Sequence, residues 1–116
     1  MKKIYHLSTC NTNQRIIKDL GGLKGFEFQN IREKNIEPDV LDGLAKKLGS
    51  YEFLFSRRAQ KFKSMGLKDK NLSEQDIRRL ILEEYTFLKR PVIIYDDNVY
   101  VGNAKSVVQS AKDAIL

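Results

Sequence analysis

The chain has 116 residues, 41% of them hydrophobic, and carries 21 lysines and arginines against 15 aspartates and glutamates, a net charge of +6. One cysteine and one histidine exclude an internal disulfide and a structural Cys/His metal site, and no stretch has the make-up of a signal peptide or a bilayer span. The length fits a single domain, 1–116, whose core needs no covalent staples, and the implied setting is the cytoplasm, where thiols stay reduced.

The basic excess suits acidic partners or an oxyanion substrate. It is not gathered into an arm for direct nucleic-acid binding. Ile4, Tyr5 and Leu7 read as a short buried strand. A polar turn follows, Ser8-Thr9-Cys10-Asn11-Thr12-Asn13, and then an amphipathic helix striped by Ile16, Ile17 and Leu20, stopped by Gly21-Gly22. Cys10 therefore stands where a strand ends and a helix begins. Free N–H groups and the positive end of the helix dipole favour the thiolate there, and the thiolate is the nucleophile. The polar flanks Thr9 and Asn11 argue against a cysteine that merely fills a core. Arg15 adds positive charge if its side chain folds back. His6 stands four residues before Cys10, a span of roughly 13 Å if extended, so contact between them needs the intervening loop to curl. His6 reads equally well as a half-buried residue with its own hydrogen bond.

Residues 25–31 alternate as a second strand. Pro38 opens a helix striped by Leu41, Leu44, Ala45 and Leu48 and ended by Gly49. Tyr51 to Phe55 form an apolar cluster before Arg57-Arg58, and a short helix covers Ala59 to Met65, closed by Gly66. Ser73-Glu-Gln-Asp76 resembles a capping box at the head of the strongest helix, striped by Ile77, Leu80, Ile81, Tyr85 and Leu88. Pro91 to Tyr95 is a continuous apolar strand, buried on both faces. Asp96-Asp-Asn98 turns the chain, Val99 to Val101 returns, and Gly102-Asn103 caps a last helix striped by Val107, Val108, Ala111, Ala114 and Ile115. The order, a βαβ half and a ββα half with helices between, predicts an α/β fold: a thioredoxin-like mixed sheet flanked by helices, with a helical insertion. In that fold the active cysteine follows the first strand, as Cys10 does. A cis-proline precedes the third strand and faces the sulfur, and Pro91 occupies that point, a trans proline that simply opens the strand being the other reading.

Ile4-Tyr-His6, Cys10-Asn-Thr12, Arg58 with the later Lys-Ser-Met-Gly-Leu67, Arg90-Pro91-Val-Ile-Ile and Val101-Gly102-Asn103 together resemble the arsenate reductase (glutaredoxin-dependent) and Spx-like family over essentially the whole chain. The resemblance implies that Cys10 attacks an arsenate or a disulfide, and that His6 matches a histidine supporting the thiolate. It implies that Arg90, beside the cis-proline, binds the oxyanion, as does Arg58, with the adjacent Arg57 leaving two registers open. Guanidinium groups suit these roles because their paired donors fit a tetrahedral oxyanion. Two departures stand out. Gln14 replaces an arginine of the motif, with Arg15 shifted by one, and Asn103 replaces a third arginine. Asn13 also stands where Cys-X-X-Cys relatives have their second cysteine, so any redox cycle is monothiol, with no bound cofactor and with glutathione or glutaredoxin as the external reductant. The leading reading is a monothiol oxidoreductase of the arsenate reductase family. The contrasting one is a non-enzymatic regulator resembling Spx, with RNA polymerase as its partner.

Overall fold

The computed structural model describes every residue from Met1 to Leu116. Strand β1 (Lys2–His6) becomes progressively buried along its length. Helix α1 (Asn11–Asp19) leads from it to β2 (Glu27–Asn30), which lies parallel to β1 with His6 beside Asn30. Two parallel neighbours need a crossover, and α1 supplies it. Strand β3 (Val92–Tyr95) runs antiparallel to β1, with Tyr5 opposite Val92. The two-residue turn Asp96-Asp97 then returns the chain as β4 (Asn98–Val101), paired to β3 from Tyr95↔Asn98 to Val92↔Val101. The sheet is mixed, as the order of elements in the sequence implies, and its four strands are ordered β2-β1-β3-β4.

Ile4 and Ile93 are register partners and share one face of the sheet. There they form a buried cluster with Ile16, Leu20, Leu23 and Ala111, edged by Ile17, Phe26, Tyr100, Val108 and Ile115. This is how α1 and the C-terminal helix α5 (Lys105–Ile115) are held: each lays one apolar stripe on the Ile4–Ile93 face. On the alternate face Tyr5 and Val92 are fully buried.

Met1–Lys34 with Arg90–Leu116 makes one compact unit, which holds the whole sheet with α1 and α5, and Asn35–Lys89 makes a second. The second unit contains α2 (Pro38–Leu48), α3 (Gln60–Ser64) and α4 (Glu74–Glu83), with short 3₁₀ turns between them. Pro38 stands in the first turn of α2, and Gly49 ends that helix with a φ of 102° that only glycine adopts without strain. Helix α4 opens on a complete capping box, Ser73 Oγ accepting from the Asp76 N–H and the Asp76 carboxylate from the Ser73 N–H. Phe55 stacks on Phe87 at 5.3 Å between centroids. Asp42 accepts from Arg78 at 2.7 and 3.2 Å and from the Tyr51 hydroxyl at 2.6 Å. The hydrogen bonds from Arg78, then from Tyr51, hold the Asp42 carboxyl below its ordinary pKa.

Several boundaries differ from the pattern in the sequence. Leu7 lies beyond β1, because a side chain takes its N–H in place of a neighbouring strand. Helix α4 ends at Glu83, so Tyr85 and Leu88 fall in a 3₁₀ turn and an isolated bridge to Phe55. Asn98 begins β4, since Asp96, with a φ of 54°, makes the turn tight enough without it. Ala104, not Asn103, is the N-cap of α5, and Ala114 faces outward. No helix is long and apolar enough to cross a membrane.

Candidate functional site

The C-terminal end of β1 is where the sheet-bearing unit gathers its chemistry. The Cys10 N–H donates to the Leu7 carbonyl at 3.0 Å, so Leu7-Ser8-Thr9-Cys10 is a closed turn whose end Cα atoms lie within about 7 Å. The loop closes on Leu7, the residue after His6. Cys10 is the N-cap residue of α1, half-buried, and its carbonyl accepts the first helical N–H, from Gln14, at 3.1 Å. Its sulfur caps no N–H, so the first-turn donors of the helix are left without a side-chain acceptor.

Three amides hold the turn. Asn13, on the inward stripe of α1 and 1% exposed, accepts the Leu7 N–H at 2.9 Å through Oδ1. Gln14 Nε2 donates to the Ser8 carbonyl at 2.5 Å. Asn30, at the end of β2, donates from Nδ2 to Ser8 Oγ at 2.8 Å and accepts the Ser8 N–H at 3.4 Å. Sequence reasoning missed these anchors. Asn13 registered there as part of the polar turn, whereas it lies in α1, and Gln14 only as a departure from the motif; nothing local marks Asn30, which comes to Ser8 only through the β1–β2 register.

His6 ends β1 with its side chain nine-tenths buried, its ring edge-on to Phe28 at 5.5 Å. Burial lowers its pKa from 6.5, partly opposed by the Glu33 carboxylate. At neutral pH the imidazole is therefore uncharged, and any support it gives to the sulfur is by hydrogen bonding and not by charge. The β1–β3 pairing ends at Tyr5↔Val92, and His6 and Pro91 are the next residues beyond it on the two chains. The Arg90–Pro91 peptide bond is cis, and the Pro91 carbonyl accepts the Gly102 N–H at 2.9 Å. Arg90 is half-buried at this same end of the sheet. Arg15 is not brought to the turn. It lies five residues beyond the N-cap, about 140° round the helix from Cys10, and is exposed without a hydrogen bond or ion pair.

In the other unit the two neighbouring arginines differ sharply. Arg57 donates from Nε and NH2 to the Glu52 carboxylate at 2.9 and 3.0 Å and lies over the rings of Phe55 and Phe62 at 5.6 and 5.5 Å. Arg58 is exposed and has no partner. No three His, Cys, Asp or Glu side chains gather where they could hold a metal ion.

The model of the ArsC family matches residues 5–111. An arsenate reductase of Haemophilus influenzae is 25% identical over 109 residues, spanning 90% of this chain and 93% of its own length. Among solved structures, the YFFB protein superposes with a TM-score of 0.84 at 19% identity over all of both chains. An arsenate reductase from Vibrio cholerae does so with a TM-score of 0.77 at 18% identity, over 99% of this chain and 97% of its own. At those identities the structural likeness speaks for the fold.

Proposed function

Since the chain belongs to the ArsC family, we propose that it is an arsenate reductase-like oxidoreductase working through a single protein thiol. The observation that carries this reading is the placement of Cys10: half-exposed, at the uncapped N-terminus of α1, at the end of the sheet where the cis Arg90–Pro91 bond lies. The Cys10 sulfur attacks the arsenic of arsenate, and an oxygen leaves as water once protonated, forming a sulfur–arsenic(V) bond. Two external thiols then supply the electron pair. They finish as one disulfide, arsenic leaves as arsenite, and Cys10 returns to its starting state. Glutathione and glutaredoxin are the natural donors, because Asn13 offers no second sulfur within the chain. The free N–H groups of the first turn of α1 and the Arg90 guanidinium receive the negative oxygens. His6, neutral, contributes a hydrogen bond.

The test is arsenate reduction with glutathione and glutaredoxin, followed as arsenite formed. Turnover that disappears in Cys10→Ser while the fold is retained supports the reading. No arsenite from the intact protein, or equal turnover by the Cys10→Ser variant, refutes it.

A further inference from the structure

Two polar atoms at this end of the sheet are buried without any hydrogen-bond partner, His6 Nδ1 and Asn13 Nδ2. Their side chains are 9% and 1% exposed, and a polar group left unsatisfied at such depth is destabilising. They occupy one layer of the structure. His6 lies two residues beyond Ile4 on β1, on the same face of the sheet. Asn13 lies one turn before Ile16 on α1, on the same stripe. Ile4 and Ile16 pack together in the core. Because α1 is the crossover between parallel strands, it runs back against β1. Moving about 6.6 Å up the strand and about 4.5 Å back along the helix from the Ile4–Ile16 contact thus carries both residues towards the same end. The Asn13 Oδ1 bond to the Leu7 N–H, next in chain to His6, ties them there.

The Asn13 amide cannot be turned round. The Leu7 N–H can only donate, so the atom that meets it is the carbonyl oxygen, and the buried NH₂ is a donor with nothing to receive it. The other orphan, His6 Nδ1, buried at the same end, can be either donor or acceptor. Were Nδ1 to carry the proton, two donors would share a buried space and any water between them would keep its own hydrogens unbonded. With Nδ1 unprotonated, a single water accepts from Asn13 Nδ2 and donates to His6 Nδ1, and both orphan atoms are satisfied.

We propose that Asn13 is a positioning residue that fixes the tautomer of His6 through one buried water, holding Nδ1 as acceptor and leaving the proton on Nε2. The position of the absent second cysteine then has a different role, since it sets which edge of the only imidazole in the chain can donate. The bearing of this on turnover rests on the reading of Cys10 as nucleophile. The tautomer itself does not, so either can fail without the other.

The chain has one histidine, so long-range nitrogen–proton correlation NMR on the uniformly ¹⁵N-labelled protein at neutral pH reports this ring alone. The expected pattern is a protonated Nε2 and an unprotonated Nδ1. Asn13→Asp keeps the acceptor for Leu7 and the side-chain shape but puts an acceptor in place of the NH₂. It should draw a proton onto Nδ1, with loss of the unprotonated-Nδ1 signal. Asn13→Ala should give a mixture of tautomers, and a dispersed amide spectrum checks that each variant is folded. A wild-type ring protonated on Nδ1 overturns the proposal, as does a folded Asn13→Asp or Asn13→Ala variant that retains the wild-type pattern.

Discussion

Replacing Arg57 and Arg58 one at a time should separate a residue that builds the fold from the one to which the resemblance assigns the oxyanion. Arg57 makes a two-bond contact with Glu52 and covers two aromatic rings. Both ion-pair partners are about half exposed, with side-chain exposures of 49% and 46%, so the pair is worth at most about 1 kcal/mol. Each ring contact adds about 0.5 kcal/mol at such an exposed site. Arg57→Ala should then lower unfolding free energy by about 1–2 kcal/mol in urea titration. Glu52→Gln should lose only the ion-pair share, and the double variant should show the two to be coupled. Arg57→Lys keeps a charge but not the planar fork and should fall between. None of these should change arsenate binding by calorimetry more than twofold. Arg58 has no such ties, so Arg58→Lys should leave stability within about 0.5 kcal/mol. It should weaken oxyanion binding about tenfold or more, as expected where paired donors are replaced by a point charge. If Arg57→Lys impairs binding while stability is unchanged, the assignment is shifted by one residue and the argument from partners is wrong.

Arg90→Lys should likewise weaken arsenate binding by about tenfold with the fold intact, as calorimetry and amide spectra together would report. Ile4→Ala empties a fully buried position between Ile16 and Ile93 and should cost about 3–4 kcal/mol in urea unfolding; a loss under about 1 kcal/mol would contradict the packing. Because burial lowers the His6 pKa in the folded state, the unfolded chain binds its proton first. Stability should be complete above the ordinary histidine value of about 6.5 and fall as pH drops through it, levelling below the folded pKa. His6→Phe should flatten that part of the stability–pH curve. Oxidised with diamide and excess glutathione, the chain should gain by intact mass one glutathione less two hydrogens, the mixed disulfide on Cys10, and no species should lose two hydrogens without that gain.

Much of the fold is legible in the sequence, because the relevant signals are local. Proline at the head of α2, glycine at its end, the Ser73–Asp76 box and the apolar run of β3 each act within a few residues, and the elements appear where they point. The errors fall where a distant partner decides. Tyr85 and Leu88 keep a helical spacing, yet Leu88 bridges to Phe55 and the helix stops at Glu83. Composition locates the turn around Cys10, but what fixes it is the register of β2 and two amides of α1. Nothing in the spacing of Arg57 and Arg58 could tell them apart. What separates them is Glu52 on a 3₁₀ turn and two phenylalanine faces.

The substitution at position 14 bears on how this chain holds an oxyanion. Where the family motif places an arginine, Gln14 stands one turn from Cys10 and spends its NH₂ on the Ser8 carbonyl. An arginine there would offer its guanidinium to a ligand. The amide instead closes the turn that carries the cysteine, beside the similar tie made by Asn13 to Leu7. Arg15 does not replace it, since its position on α1 directs it away from the turn. The sheet-bearing unit thus has, at position 14, an amide that ties the turn of the proposed nucleophile in place of a cationic donor. Weaker ground-state binding of arsenate need not slow the chemical step, provided the geometry at sulfur is kept. Gln14→Arg should therefore lower the KM for arsenate while loosening the Ser8 tie and lowering kcat. A variant in which kcat rises with the restored arginine would show that the turn does not need its glutamine.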